Sequence, residues 1–153
     1  MDRIFHLNDI AMMTGFTTRT LRTYLNQGLL RGTKTGGVWE FTAEDLDRFF
    51  REPFIKEGLR IKRSSVVFDF MSDRSKKTRR ACVILDLPAS AQDGSVLSAF
   101  FCGRMQEASD VVFNFDWHNG MCRVILSGAE DQVAKIMRAY GEAAENGLET
   151  QAP

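Results

Sequence analysis

The sequence lacks long hydrophobic runs, and this lack excludes a membrane-spanning protein. No stretch of the 153 residues approaches the roughly 18 uninterrupted apolar residues that a membrane helix needs. The start, MDRIFHLNDIAMM, also lacks the charged-then-apolar layout of a secretory signal peptide. A composition of 44% hydrophobic and 26% charged residues is ordinary for a globular chain. We therefore expect a cytoplasmic protein without a membrane partner.

Cysteine is scarce, and its spacing excludes two further classes. The 3 cysteines, Cys82, Cys102 and Cys122, form no CxxC pair, so neither a disulfide framework nor a zinc module is indicated. We expect them to be free thiols packed in a core. A thiol sensor would require folding to bring low-pKa thiols together at the surface.

Groups that would form a catalytic or metal centre are also missing. His118 has no cysteine, serine or second histidine close to it in the sequence. The aspartates at 86, 110 and 116 match no spacing of a metal-binding loop. The sequence therefore predicts no enzyme, no metal site and no cofactor.

The net charge of zero conceals a segregation of charge along the chain. Residues 1–80 hold 16 Lys and Arg against 10 Asp and Glu, whereas residues 81–153 hold 4 against 10. Such asymmetry suggests a half that faces nucleic acid, joined to an acidic half with another task. The basic run RSKKTRR, residues 74–80, lies at the changeover and reads equally as a solvated linker or as an arm that contacts DNA.

The first 30 residues have the pattern of a helix-turn-helix. Leu7, Ile10 and Ala11 have the spacing of a short amphipathic helix, which Gly15 ends in a tight turn. A second helix begins near Thr17 or Thr18, both of which are good N-caps. With Leu21 and Leu25 buried against the first helix, Ala11 lies where the two helices cross.

The opposite face of the second helix carries basic and polar side chains and no acid. Arginine suits guanine edges and phosphates, threonine suits thymine methyls or phosphates, and asparagine can pair with adenine. A carboxylate on this face would oppose attraction to the phosphates. The pattern predicts a recognition helix whose outward residues are Arg19, Arg22, Thr23 and Asn26.

A wing and a third helix follow. Gly36 and Gly37 supply a hairpin turn between strands that we predict at Leu29–Thr33 and Val38–Phe41. Lys34 and Thr35 at the wing tip are candidates for contact with the DNA backbone or minor groove, whereas Trp39 and Phe41 should pack the wing on the body. Thr42 caps a helix whose apolar stripe is Leu46, Phe49 and Phe50.

The stretch TGFTTRTLRTYLNQGLL resembles the DNA-binding domain of the MerR family, and the resemblance covers roughly residues 4 to 52. It implies that Arg22 and Tyr24 contact the phosphate backbone and that Thr17, Thr18 and Arg19 lie near the base edges. The chain departs from the family pattern where Thr23 replaces a tyrosine and Leu25 a glutamate. The matching or conservatively replaced positions are Gly15, Thr17, Thr20, Leu21, Arg22, Tyr24, Gly28 and Leu29. The wing is also similar to excisionase-type DNA-binding domains.

Residues 54–72 carry two apolar patterns, one of a helix and one of a strand, and for residues 64–72 the sequence leaves the choice open. Typical MerR regulators dimerise through a long helix that follows the DNA-binding domain. No heptad run here is long enough for such a helix, so a dimer interface is expected elsewhere.

The second half predicts a small sheet flanked by helices. A continuous apolar strand, ACVILDL, precedes a helix, and Val111, Phe113, Phe115 and Trp117 alternate on one face of the next strand. Asn119–Gly120 is a hairpin turn signal before a further strand and a last helix. The order β-α-β-β-α is that of a ferredoxin-like fragment, and its unpaired strand edge invites a partner or a second copy.

The sequence as a whole predicts an α+β protein with three parts: a winged helix-turn-helix at residues 1–52, a helical connector and basic linker at 53–80, and a small α/β sensing or dimerisation domain at 81–153. We expect a bacterial-type transcriptional regulator of MerR-like kind that binds double-stranded DNA as a homodimer, with an unidentified small-molecule effector as a further partner. An architectural protein of excisionase type is the alternative, and an enzyme in the second half is a weaker one. The predicted DNA-binding residues are Thr17, Thr18, Arg19, Arg22, Thr23, Tyr24, Asn26, Lys34 and Thr35.

Overall fold

The computed structural model describes residues 3–148, except for the side chains of Ala91 and His118. The chain combines helices with one short hairpin and one larger sheet. The helices are α1 (Leu7–Thr14), α2 (Thr18–Asn26), α3 (Ala43–Arg51), α4 (Pro53–Ser72), α5 (Ala91–Glu107) and α6 (Glu130–Glu145). The strands are β1 (Thr33–Thr35), β2 (Val38–Glu40), β3 (Arg80–Pro88), β4 (Val111–His118) and β5 (Met121–Ala129).

Local capping fixes the three helices of the winged helix-turn-helix. Gly15 ends α1 with a left-handed backbone (φ 80°), which a side chain would make strained. Thr17 is the N-cap of α2, and its hydroxyl accepts a hydrogen bond from the Thr20 amide. Thr42 and Asp45 form a reciprocal capping box at the start of α3. These caps confirm the helix starts that the sequence predicted.

The wing differs in part from the prediction. The first strand was predicted at Leu29–Thr33, but β1 begins only at Thr33. The amides of Leu29 and Leu30 instead donate hydrogen bonds to the Tyr24 carbonyl at the end of α2, so they serve as a helix cap and cannot continue a hairpin. Phe5 also pairs with Phe41 through two backbone hydrogen bonds of 2.8 and 2.9 Å, which ties the segment before α1 to the wing.

The second half confirms the β-α-β-β-α order. Its sheet is antiparallel with strand order β3-β5-β4, so β3 and β4 run parallel to each other on either side of β5. Asn119 and Gly120 turn between β4 and β5 with left-handed backbones (φ 52° and 74°). The inner face of the sheet packs against α5 and α6 and contains the buried side chains of Phe113, Phe115 and Trp117.

Residues 53–72 are helical, which settles the ambiguity of this segment. Pro53 stands in the first turn of α4, where its missing N–H costs no hydrogen bond. Ile55 and Leu59 are buried, whereas further along the helix Phe68 and Met71 are exposed. In the described part of the chain, no helix is long and apolar enough to span a bilayer.

The two halves of the chain share a continuous hydrophobic core. α1 packs along β4, and the Phe50 ring of α3 meets the Trp117 ring edge-on at a centroid distance of 5.2 Å. Asn114 of β4 donates a hydrogen bond of 3.1 Å to the Thr14 carbonyl. Side chains before residue 52 therefore pack against side chains after residue 80. The division into domains at residues 52 and 80 remains a prediction about function.

Candidate nucleic-acid interface

The second helix of the motif presents its basic side chains to solvent. Leu21 is fully buried on the inner side of α2, and Arg19, Arg22, Thr23 and Asn26 are exposed. Leu25, which was predicted to be buried with Leu21, is only half-buried, although it still packs against the core. Within residues 3–148, neither the Arg19 nor the Arg22 guanidinium is engaged in an ion pair or side-chain hydrogen bond. Both are therefore available to an anionic ligand.

The threonines of α2 have local roles. The Thr17 hydroxyl accepts from the Thr20 amide at 3.1 Å and donates to the Thr20 hydroxyl at 3.0 Å, so it holds the start of the helix. The Thr23 hydroxyl donates to the Arg19 carbonyl at 3.2 Å. Thr18 is half-buried at the first position of the helix. Contacts of these side chains with base edges remain a prediction.

Arg22 lies beside the wing. It lines a groove of about 240 Å³ together with wing residues Gly37–Trp39 and residues His6–Asn8 at the start of α1. Recognition helix, wing and first helix thus meet at one surface. No pattern in the sequence pointed to His6 and Asn8, because their proximity to Arg22 depends on how α1 and the wing pack.

The wing tip carries Lys34 and Thr35, both exposed. The Lys34 ammonium lies 5.9 Å from the centre of the Trp39 ring, a cation–π distance. Trp39 in turn stacks on Phe41 at 6.3 Å, and Phe41 is fully buried. Trp39 therefore anchors the wing on the body, as predicted, and supports the lysine.

Tyr24 is more constrained than an exposed phosphate contact would be. Its half-buried ring meets Phe16 at 5.5 Å and Phe54 at 6.0 Å, both edge-on. The ring therefore fastens α2 to the start of α4. The contact of Tyr24 with the phosphate backbone remains a prediction from the family resemblance.

The charges around the groove between α2, the wing and the start of α1 favour binding of an anion. No acidic residue occurs in α2, as the sequence shows directly. Two acids near the groove, Asp9 and Glu40, have carboxylate oxygens 3.8 and 3.9 Å from the ring nitrogens of His6. The Asp9 carboxylate also accepts a hydrogen bond from the His6 backbone amide. Arg22 is thus the unpaired charge at the junction of α2 and the wing, as far as the described residues show.

The three aspartates that were considered as metal ligands from the sequence, Asp86, Asp110 and Asp116, each pair with an arginine. Asp86 accepts two hydrogen bonds from Arg123 at 2.7 and 2.9 Å, and these hold its pKa below the usual value. Asp110 pairs with Arg80 and Asp116 with Arg63. Nowhere in residues 3–148 do three or more His, Cys, Asp or Glu side chains form a group that could hold a metal ion.

The cysteines do not meet the requirement for a thiol sensor. Burial raises the pKa of Cys102 to about 12, and burial also raises the pKa of Cys82. A raised pKa leaves the thiol protonated and unreactive at neutral pH. No disulfide joins Cys82, Cys102 or Cys122, and Cys102 and Cys122 are buried while Cys82 is half-buried.

Comparison with known proteins identifies the amino-terminal segment. Residues 5–51 match the family model of the MerR HTH family regulatory protein. This segment is a MerR-type helix-turn-helix domain. The match supports a DNA-binding regulator and places α1, α2, the wing and α3 within one domain. No curated protein and no solved structure matches the chain.

Proposed function

We propose that the protein is a sequence-specific transcriptional regulator that binds double-stranded DNA as a homodimer through α2 and the wing. The observation that carries the proposal is the position of Arg22, exposed on an acid-free helix face and adjoining the wing. Helix N-terminal residues of such a motif contact base edges in the major groove, while the wing reaches the neighbouring backbone. The MerR-type domain supplies the same expectation independently.

We assign different tasks to the two arginines of α2. Arg22, next to the wing and the start of α1, holds a phosphate and so positions the helix without reading sequence. Arg19, in the first turn of α2, reaches a base edge. Lys34 and Thr35 at the wing tip add contacts to the backbone or minor groove.

We further propose that the chain is divided by function at residues 52 and 80. Residues 1–52 bind DNA, residues 53–80 connect, and the acidic residues 81–153 face away from the duplex and serve for assembly. The negative net charge of residues 81–153 would be repelled by the phosphates of DNA. A small-molecule effector remains a prediction from the sequence.

Salt titration of DNA binding tests the two assignments. Arg22→Ala should weaken binding to all sequences and reduce the slope of log affinity against log salt by about 1. Arg19→Ala should cost about 1 to 3 kcal/mol at the preferred site and much less on unrelated DNA. Arg104→Ala, which removes an exposed arginine of α5 outside the matched segment, is the control and should leave both quantities unchanged. Unchanged affinity and slope in both α2 variants would refute the assignment of α2 as the recognition helix.

A further inference from the structure

Strand β3 is an open edge of the sheet. Within the described residues it pairs with β5 and with no other strand. Edge strands with unpaired backbone groups readily accept another strand, and natural proteins usually block them with lysines, prolines or bulges. β3 runs for 9 residues without a lysine or a bulge, and its proline, Pro88, stands only at its end.

The pattern of backbone hydrogen bonds shows which groups are open. Glu130 donates its amide hydrogen to the Arg79 carbonyl, and Ala89 donates its own to the Gly120 carbonyl. Odd-numbered residues of β3 therefore direct their backbone groups toward β5, because antiparallel pairing alternates along a strand. The even-numbered residues Arg80, Cys82, Ile84 and Asp86 direct theirs away from the sheet, where no described residue pairs with them.

Side chains along this edge are less buried than those of the strand beside it. On the inner face, Val83, Leu85 and Leu87 are only half-buried. Their register partners in β5, which are Leu126, Val124 and Cys122, are each fully buried. The hydrophobic core thus reaches β3, where its side chains are partly exposed to solvent.

The outer face carries a second apolar surface that adjoins the same edge. Ile84 of β3 is 50% exposed and lines a groove of about 570 Å³ between α4 and the sheet. The groove also contains Phe68 and Met71 of α4, which are 68% and 71% exposed. Exposed apolar side chains that are contiguous with an open strand indicate an interaction surface.

We infer that this edge and the adjoining groove bind a second copy of the chain, with β3 pairing antiparallel to β3 of the partner about a two-fold axis at Val83. This inference rests on the homodimer of the proposed function and assigns its interface. The register brings Arg80 of each copy opposite Asp86 of the other and Cys82 opposite Ile84, all of them residues whose backbone groups point outward.

The charge pattern of β3 fits its own copy. Arg80 and Asp86 lie on the outer face, where each already pairs within the chain, Arg80 with Asp110 and Asp86 with Arg123. The two-fold pairing would join these ion pairs into an alternating series across both sheets. Opposite charges on facing strands stabilise the pairing, whereas like charges would oppose it. Two copies would also cover the half-buried Val83 and Leu85 of each other, and the two-fold axis makes the pairing of Arg80 with Asp86 reciprocal.

The test is the mass of the full-length chain in solution, measured by light scattering and sedimentation equilibrium at micromolar concentration. The unchanged protein should have twice the chain mass of 17.3 kDa. Ile84→Lys should raise the dimer dissociation constant by about a hundredfold or more, because it places like charges close together at the axis. Val112→Lys is the matched control, since Val112 is 56% exposed on the same face but lies on β4 at the opposite edge, and this variant should remain dimeric.

A charge exchange tests the register and also replaces Ile84→Lys if that variant does not fold. Asp86→Arg should dissociate the dimer by opposing Arg80 of the other copy. Adding Arg80→Asp should restore the dimer in part, because the exchange re-forms the contact between the copies while Asp110 and Arg123 lose their partners within each chain. A monomeric wild type, a folded dimeric Ile84→Lys variant, or no restoration by the second substitution would each overturn the inference. DNA binding is measured on the same samples. If the protein binds DNA but the measured masses differ from those expected, only this interface is refuted. If the masses are as expected but the protein does not bind DNA, the proposed function is refuted.

Discussion

Arg63 and Arg123 pair with aspartates on the same face of the sheet, but their surroundings differ. The side chains of Arg63 and Asp116 are 17% and 7% exposed, and the pair joins α4 to β4. Those of Arg123 and Asp86 are 48% and 45% exposed. Breaking a buried ion pair leaves an uncompensated charge, while an exposed pair is screened by water.

We predict that Arg63→Ala lowers the free energy of unfolding by about 3 kcal/mol or more. Arg123→Ala, the matched exposed substitution, should change it by about 1 kcal/mol or less. Urea denaturation of both variants measures the difference. Equal losses would show that Arg63 does not hold α4 on the sheet.

Two glycines of the second half, Gly128 in β5 and Gly103 in α5, differ in how closely other atoms approach them. A Cβ on Gly128 of β5 would stand 2.0 Å from the Asp110 carbonyl oxygen and 2.7 Å from the Val111 Cα, so the backbone at the start of β4 would have to move. A Cβ on Gly103 of α5 would meet nothing within 4 Å. The two glycines should therefore respond oppositely to the same change.

Gly128→Ala is expected to lower the free energy of unfolding by about 2 to 3 kcal/mol through overpacking. Gly103→Ala should raise it by about 0.5 to 1 kcal/mol, since alanine is the better helix former. Thermal melts of the two variants should shift in opposite directions. A neutral Gly128→Ala would contradict the close contact between β5 and the start of β4.

Strongly periodic elements could be predicted from the sequence. Leu46, Phe49 and Phe50 share the buried stripe of α3, and the alternation of Val111 to Trp117 marks the inner face of β4. Residues 64–72 could not be assigned, because the outer part of α4 has few buried side chains to produce a helical stripe. Leu29 was misplaced in a strand because apolar character does not reveal a capping role.

The candidate site was predictable to a similar extent. The outward residues of α2 follow from helical spacing, and the structure exposes Arg19 and Arg22 as that spacing requires. The neighbours of Arg22 in the groove, His6 and Asn8, depend on tertiary packing and left no pattern. Arg63 and Asp116 are 53 positions apart, and local periodicity cannot predict contacts over such separations.

At the scale of the whole molecule, the two edges of the sheet have different surroundings. β4 is covered by α1 and α3 of the MerR-type domain, whereas β3 remains open in the described structure. The shared core therefore attaches the candidate DNA-binding surface to one edge and leaves the other edge, where we propose assembly, without a partner strand among the described residues. Any two-fold arrangement through β3 would fix the positions of both recognition helices, and hence the spacing of their half-sites.

Selection of binding sites from random double-stranded DNA by the full-length protein tests the central claim most directly. A dimer with one recognition helix in each copy should enrich an inverted repeat with a fixed half-site spacing. The enriched duplex should bind at least about 1,000-fold more tightly than unrelated DNA at physiological salt. Recovery of no common sequence, or of one asymmetric half-site bound by a single chain, would contradict the account.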